Sequence, residues 1–153
     1  MAPADLLARL EAAGATLGFA ESLTGGLLAD AFIGVPGASA VVRGSIVAYA
    51  TDLKTKLLGV PREVLDRHGA VHPQVAEAMA QGARVRLGAT YALATTGVAG
   101  PDPQDGQPVG TVYIGVAGPG RLGHERLNLT GSRGEIRAGA VAGAVTLLGH
   151  ILP

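Results

Sequence analysis

Thr16-Leu17-Gly18-Phe19-Ala20-Glu21-Ser22-Leu23-Thr24-Gly25-Gly26-Leu27-Leu28-Ala29 is the stretch from which the rest of the chain can be read. Thr16 to Ala20 is a short apolar run with the look of a buried strand. A helical pattern over Thr24 to Ile33 leaves it, with Leu27, Leu28, Ala31 and Phe32 as its apolar residues. Hydroxyls and a glycine pair therefore stand where a strand hands over to a helix. Free N–H groups at a helix start lie there beside potential nucleophiles and favour anions such as phosphate. The plainer reading is that Ser22 or Thr24 caps the helix and the glycines allow close packing. The chain has no G-x-G-x-x-G, no G-x-x-x-x-G-K-[ST] and no G-x-S-x-G, so the common nucleotide and hydrolase fingerprints do not apply.

Working outward, Ala4 to Ala13 reads as a helix stopped by Gly14. Val41 to Tyr49 is rich in β-branched residues and reads as a long strand. Asp52 to Leu58 and Arg62 to His68 are short helices. Pro73 opens a longer one that reaches Leu87. Thr90 to Thr95 is a strand ending on Thr96-Gly97, and Val98 to Pro108 is an irregular loop. Val109 to Val116 and Glu125 to Leu129 read as strands joined through Gly118-Pro119-Gly120, a hairpin. Glu135 to Ile151 carries one apolar stripe and forms the last helix. Strands alternating with helices and then a hairpin predict a single α/β domain over residues 1–153. It is a three-layer α/β/α arrangement around a mixed, mostly parallel sheet.

Composition narrows the function. The 153 residues carry no net charge, so no general field draws the chain to nucleic acid or to an anionic membrane. There is no cysteine, which excludes disulfides, thiolate metal sites and a cysteine nucleophile. Aromatics are scarce and the core must be aliphatic. The run near Gly139 to Gly149 is shorter than the roughly 20 apolar residues that a bilayer span needs. The N-terminus lacks the basic start of a secretory signal, so the expected location is cytoplasmic.

Three further segments carry candidate chemistry. Tyr49 closes a strand and Lys54 follows one helical turn later; such a pair can tune a proton. The plain alternative is a surface lysine beside a core tyrosine. Thr95-Thr96-Gly97 ends a strand at the carboxyl edge of the sheet, where open α/β sheets bind ligands. Arg133 and Arg137 begin the last helix, where a cation is unfavoured unless an anion neutralises it. That anion is either a ligand phosphate or a carboxylate such as Glu135. His68 and His72 are four apart, but Gly69 and Pro73 argue against one helix through both, and no metal site is expected.

Taken together these segments resemble the CinA C-terminal domain family over about Leu6 to Leu148. The family's Ala-Glu-Ser-x-Thr-Gly-Gly is matched by Ala20 to Gly26, its Val-Pro-Gly-x-Ser turn by Val35 to Ser39, and its strand from glycine through Val-x-Tyr, with the lysine after it, by Gly44 to Tyr49 and Lys54. His68-Gly69-Ala70-Val71, Thr96 to Pro101, Pro108 to Tyr113 and Arg133 with Ile136-Arg137 follow in the family's order. The chain departs from the pattern at Leu23, where many members have Cys, at His72 in place of Ser, and in a glycine-poor loop over Asp102 to Gln107.

The resemblance implies a nicotinamide-nucleotide amidohydrolase, the activity of stand-alone members. It would cleave the carboxamide of nicotinamide mononucleotide (NMN) to nicotinate mononucleotide and ammonia, in pyridine nucleotide salvage. It implies no cofactor, no nucleic-acid or membrane partner, and a homodimer. An amide needs an activated nucleophile, oxyanion donors and a proton for ammonia. With no cysteine, the expected set is Ser22 as nucleophile, Lys54 as base and Tyr49 as proton relay. Ser39 is the competing nucleophile. Glu21, Thr24, Gly25, Gly26, Thr96 and Gly97 are expected substrate contacts, with N–H groups near Gly25-Gly26 as the oxyanion hole. Arg137, ahead of Arg133, is expected on the 5′-phosphate. The alternatives are a non-catalytic nucleotide-binding regulatory module and an amidase acting on a related nucleotide.

Overall fold

The computed structural model describes residues 1–153, in the order α1 (Pro3–Ala12), β1 (Leu17–Glu21), α2 (Leu27–Ile33), a single 3₁₀ turn at Ala38–Ala40, β2 (Val42–Val47), α3 (Thr51–Leu58), α4 (Arg62–His68), α5 (Pro73–Leu87), β3 (Tyr91–Gly97), β4 (Thr111–Gly118), β5 (Arg121–Asn128) and α6 (Arg133–Ile151). The sheet order is β2-β1-β3-β4-β5. β1 pairs parallel with β2 and β3, while β3–β4 and β4–β5 are antiparallel. Four strands thus point one way and β4 alone points back, which is the expected mixed, mostly parallel sheet.

Alternation along the strands sorts the faces. Leu17 and Phe19 of β1, Leu93 of β3, and Val112, Ile114 and Val116 of β4 face α1, α2 and α6 and build the larger aliphatic core. Ala20, Ala92, Ala94 and Ala117 face the other way, against Leu58, Leu65, Val75 and Met79 from α3, α4 and α5. That second face is lined by the smallest side chains, so α5 lies very close to the sheet. A Cβ added at Gly115 would sit 2.0 Å from the Ala76 carbonyl oxygen. The alanine and glycine richness of the chain has its structural use here.

Two boundaries differ from the sequence expectation by more than two residues. α2 starts at Leu27 rather than Thr24, because Ser22 to Gly26 form a turn with Gly25 and Gly26 at positive φ (54° and 109°). β5 starts at Arg121, four residues earlier than Glu125. As an edge strand it needs only every second residue half-buried, so its polar Arg121-Leu122-Gly123-His124 does not read as a strand. His72 caps α5 with its imidazole, Nδ1 accepting from the Gln74 N–H at 3.2 Å. No helix is long and apolar enough to cross a membrane.

The layout positions a crevice. β1 is followed in the sheet by β2 on one side and β3 on the other. The connections therefore diverge at the carboxyl ends of β1 and β3, the place where such sheets take ligands. Glu21 and Thr95 stand opposite each other in the register, so Ser22 and Thr96 emerge side by side. The Ser22 N–H donates to the Thr95 carbonyl at 3.0 Å, tying the turn after β1 to β3.

Candidate active site

The crevice holds a cavity of about 150 Å³. Ser22, Leu23, Tyr49, Lys54, Thr96 and Gly97 line it together with Ala70, Val71, the loop after β3 and Arg133. Lys54 is 1% exposed, and its position follows from α3: the helix begins just after the end of β2 and turns this side chain back under the sheet edge. Its Nζ donates to Ser22 Oγ at 3.0 Å, to the Ala48 carbonyl at 2.8 Å and to the Tyr49 carbonyl at 3.1 Å. No carboxylate lies within ion-pair distance of it; the chain's ion pairs are Lys56–Asp52 and His124–Glu77. Removal from water therefore dominates, and burial pushes the Lys54 ammonium down from 10.5 to about 8, against a smaller upward pull from the Asp105 charge. A lysine in this state supplies a neutral amine near neutrality, hydrogen-bonded to a hydroxyl that is itself nearly buried.

Tyr49 contributes differently from the expectation. Its carbonyl holds Lys54, whereas its side chain is 62% exposed and its phenol oxygen accepts from Arg133 at 3.2 Å. Thr96 lines the cavity at 1% exposure, its hydroxyl donating to the Ala70 carbonyl at 2.7 Å. Gly97 is required by close packing of β3 on β4, since a Cβ there would lie 2.7 Å from a Val112 methyl.

Other expected contacts sit elsewhere. Glu21 is fully buried and points under α2. Its carboxylate accepts from the Thr24 hydroxyl (2.7 Å), the N–H groups of Gly26 (3.1 Å), Leu28 (2.8 Å) and Ala29 (3.2 Å), and the Ser45 hydroxyl (2.8 Å). The chain's own carboxylate thus occupies the helix start that the sequence offered to a ligand anion. Thr24 is equally buried, bridging Glu21 and the Thr95 hydroxyl. The Gly25 N–H donates to the Ser22 carbonyl, and neither Gly25 nor Gly26 lines the cavity. Their N–H groups are therefore already engaged and are not available as the expected oxyanion hole. The N–H groups of Leu23 and Thr24, directly after Ser22, make no hydrogen bond within the chain.

The two arginines are placed the other way round from the expectation. Arg137 does not line the cavity; its Nε donates to the Leu23 carbonyl at 2.8 Å and its Nη2 to the Thr24 carbonyl at 3.2 Å, bracing the turn that carries Ser22. Arg133 lines the mouth, bound to the Gly100 carbonyl and the Tyr49 phenol. Ser39 is exposed in the 3₁₀ turn and lines a separate open groove with Ile33, Val35 and Arg43, so one chain does not bring it to Lys54. Sequence reasoning missed Asp102, Gln104 and Asp105. They lie in an irregular loop with no periodicity to mark them; the only local signal is the turn pair Asp105-Gly106.

Comparison with known proteins places the chain in a family. The CinA C-terminal domain family matches residues 2–152. A CinA-like protein of Frankia casuarinae is 54% identical over 138 residues, 90% of this chain and 32% of that protein. One from Gloeobacter violaceus is 49% identical over 96% of this chain and 34% of its own length. The chain spans about a third of the curated relatives it matches. Among solved structures, the competence/damage inducible protein CihA from Agrobacterium tumefaciens superposes with a TM-score of 0.93 at 36% identity, covering 97% of this chain and 92% of that one. The competence-damaged protein (CinA) superfamily protein from Escherichia coli gives 0.95 at 33% identity over 98% and 88%. With the family matched along nearly all its length and the fold shared with solved members, this chain belongs to the CinA C-terminal domain family.

Proposed function

We propose that this domain hydrolyses the carboxamide of NMN, releasing ammonia and nicotinate mononucleotide. The observation that carries the proposal is the Lys54–Ser22 pair: a buried lysine with no counter-ion, its ammonium lowered to about 8, at 3.0 Å from a hydroxyl facing a cavity. Backbone carbonyls alone would hold a structural lysine; the added contact to a cavity-facing hydroxyl and the lowered ammonium are what a serine nucleophile uses.

In this reading neutral Lys54 takes the Ser22 proton as Oγ attacks the carboxamide carbon. The negative charge that develops on the amide oxygen is met by the free N–H group of Leu23, next to Ser22 on the cavity wall. Arg137 holds the Leu23 and Thr24 carbonyls and so fixes the turn that presents this donor. Lys54 returns its proton to the departing ammonia. Water then attacks the Ser22 ester with Lys54 again as base; the acyl C–Oγ bond breaks, Lys54 hands the proton to Ser22 Oγ, and the released acid ionises to nicotinate mononucleotide. Ser22 is preferred to Ser39 because only Ser22 shares a cavity with Lys54 in one chain. Tyr49 acts at the mouth, through its phenol and Arg133.

The cavity is smaller than the roughly 300 Å³ at which pockets begin to enclose drug-sized ligands. It suits the carboxamide-bearing ring, with sugar and phosphate at the mouth. The exposed Arg133 is then the phosphate partner, and Arg137 a brace. The reading includes a homodimer and a cytoplasmic site of action. The test is ammonia release from NMN by the purified chain, with the dephosphorylated nucleoside as comparison. A folded protein that binds NMN without releasing ammonia overturns it in favour of a regulatory binding module.

A further inference from the structure

One wall of the cavity is a short arch, residues 69–71, between α4 and α5, of which Ala70 and Val71 face the cavity. Ala70 is held from both sides. Its carbonyl accepts from the Thr96 hydroxyl at 2.7 Å, and its N–H donates to Asp105 Oδ2 at 3.0 Å. Asp105 belongs to the loop between β3 and β4, and the same loop brings Asp102 and Gln104 into the cavity lining. Two details of the backbone favour this contact. Asp105 is the only non-glycine residue with positive φ, at 51°, a conformation that aspartate tolerates better than most side chains. Gly69, at φ 73°, faces it: a Cβ there would lie 2.6 Å from the Asp105 Cβ and Cγ, so only glycine leaves room for the carboxylate. The ends of the arch are pinned by His68 and His72, whose rings stack at 3.9 Å between centroids and 9° between planes.

We propose that Asp105 is a positioning residue of the amide-hydrolysing site: its carboxylate latches the β3–β4 loop onto Ala70, and so fixes Asp102 and Gln104 across the cavity from Thr96. The inference rests on the amidase reading for the identity of the substrate, but the latch itself does not. The titratable and charged groups that line the cavity are Tyr49, Lys54, Asp102 and Arg133. The carboxylate whose charge acts on Lys54 is nevertheless that of Asp105, holding the ammonium up against burial. One side chain thus closes the loop and moderates the base.

Asp105→Asn and Asp105→Ala separate the two effects, because asparagine keeps an oxygen for the Ala70 N–H and loses the charge. The free proteins are compared by amide hydrogen exchange at Ala70, by the Kd of NMN in calorimetry, and by ammonia release from NMN across pH. In Asp105→Ala, exchange at Ala70 quickens at least about tenfold, and Kd and KM rise about tenfold, the size expected for loss of one charge-assisted hydrogen bond. In Asp105→Asn, exchange, Kd and KM stay within about threefold of the parent, while the acid limb of the rate profile moves to lower pH, because the anion that favoured the ammonium is gone. Unchanged exchange in Asp105→Ala overturns the latch. Faster exchange with unchanged Kd and KM overturns the positioning role, as do Asn and Ala variants that behave alike. If the parent protein binds NMN without releasing ammonia, the amidase reading fails alone, and exchange and Kd still decide the latch.

Discussion

The lowered Lys54 ammonium sets a pH dependence that can be worked through. The active form of a general base is the neutral amine. With its pKa at about 8 instead of 10.5, the neutral fraction at pH 7 is about one tenth, some 300-fold more than an exposed lysine offers. The kcat/KM for ammonia release from NMN should therefore rise about tenfold per pH unit below about 8 and level off above it. Lys54→Arg, which cannot deprotonate, should abolish turnover, and Lys54→Met should do the same. The same shift leaves a mark on stability, and its sign is fixed by linkage. The unfolded chain keeps the Lys54 proton up to about 10.5, whereas the folded chain releases it near 8. Between those values the unfolded state binds more protons, so folding stability gains up to about 3 kcal/mol as pH rises through that window. Urea denaturation of the parent and of Lys54→Met at pH 7 and 10 isolates the contribution, since only the parent should show it. A rate profile that is flat or falling between pH 6 and 8, or a Lys54→Met variant with the parent's pH–stability slope, refutes the reasoning.

Further outcomes follow from the geometry. Ser22→Ala should lower kcat at least about 10³-fold, and Ser39→Ala far less; the reverse order in the ammonia assay would transfer the nucleophile to Ser39. Arg133→Ala should raise KM for NMN at least about tenfold and leave the dephosphorylated nucleoside unaffected, whereas Arg137→Ala should lower kcat for both by loosening the Ser22 turn. Glu21→Gln sets an amide nitrogen against donors that a carboxylate satisfied, and should cost about 3 kcal/mol in urea denaturation. An unchanged urea midpoint with a raised KM would make Glu21 a substrate contact after all. Gly115→Ala forces a methyl against the Ala76 carbonyl and should cost about 3 kcal/mol, near 10 °C in Tm.

How legible all this was in the sequence depended on the range of the forces involved. The three layers follow from local periodicity, and the helices and strands fall close to where hydrophobic spacing puts them. Ser22, Lys54, Thr96 and Gly97 were found because each lies within one turn of an element's end at one sheet edge, a position that residue order reveals. The motif around Ser22 was harder to divide, because Glu21, Thr24, Gly25 and Gly26 carry the same residue types whether they bind a ligand or support the turn. Glu21 points beneath the sheet edge because alternation along β1 sends it to the α2 side, and there it takes the N–H groups on which the anion argument relied. Arg133 and Arg137 show the same limit. They stand one helical turn apart on α6 with equal charge, and only the position of their carbonyl partners decides which of them braces the Ser22 turn and which stands at the cavity mouth. Sequence pattern thus locates where polar groups gather, but a group is free for catalysis only if no other part of the chain has claimed it. In this fold the claims on Glu21, Thr24 and Arg137 are what leave the Ser22 hydroxyl, paired with Lys54, and the Leu23 N–H together on the cavity wall.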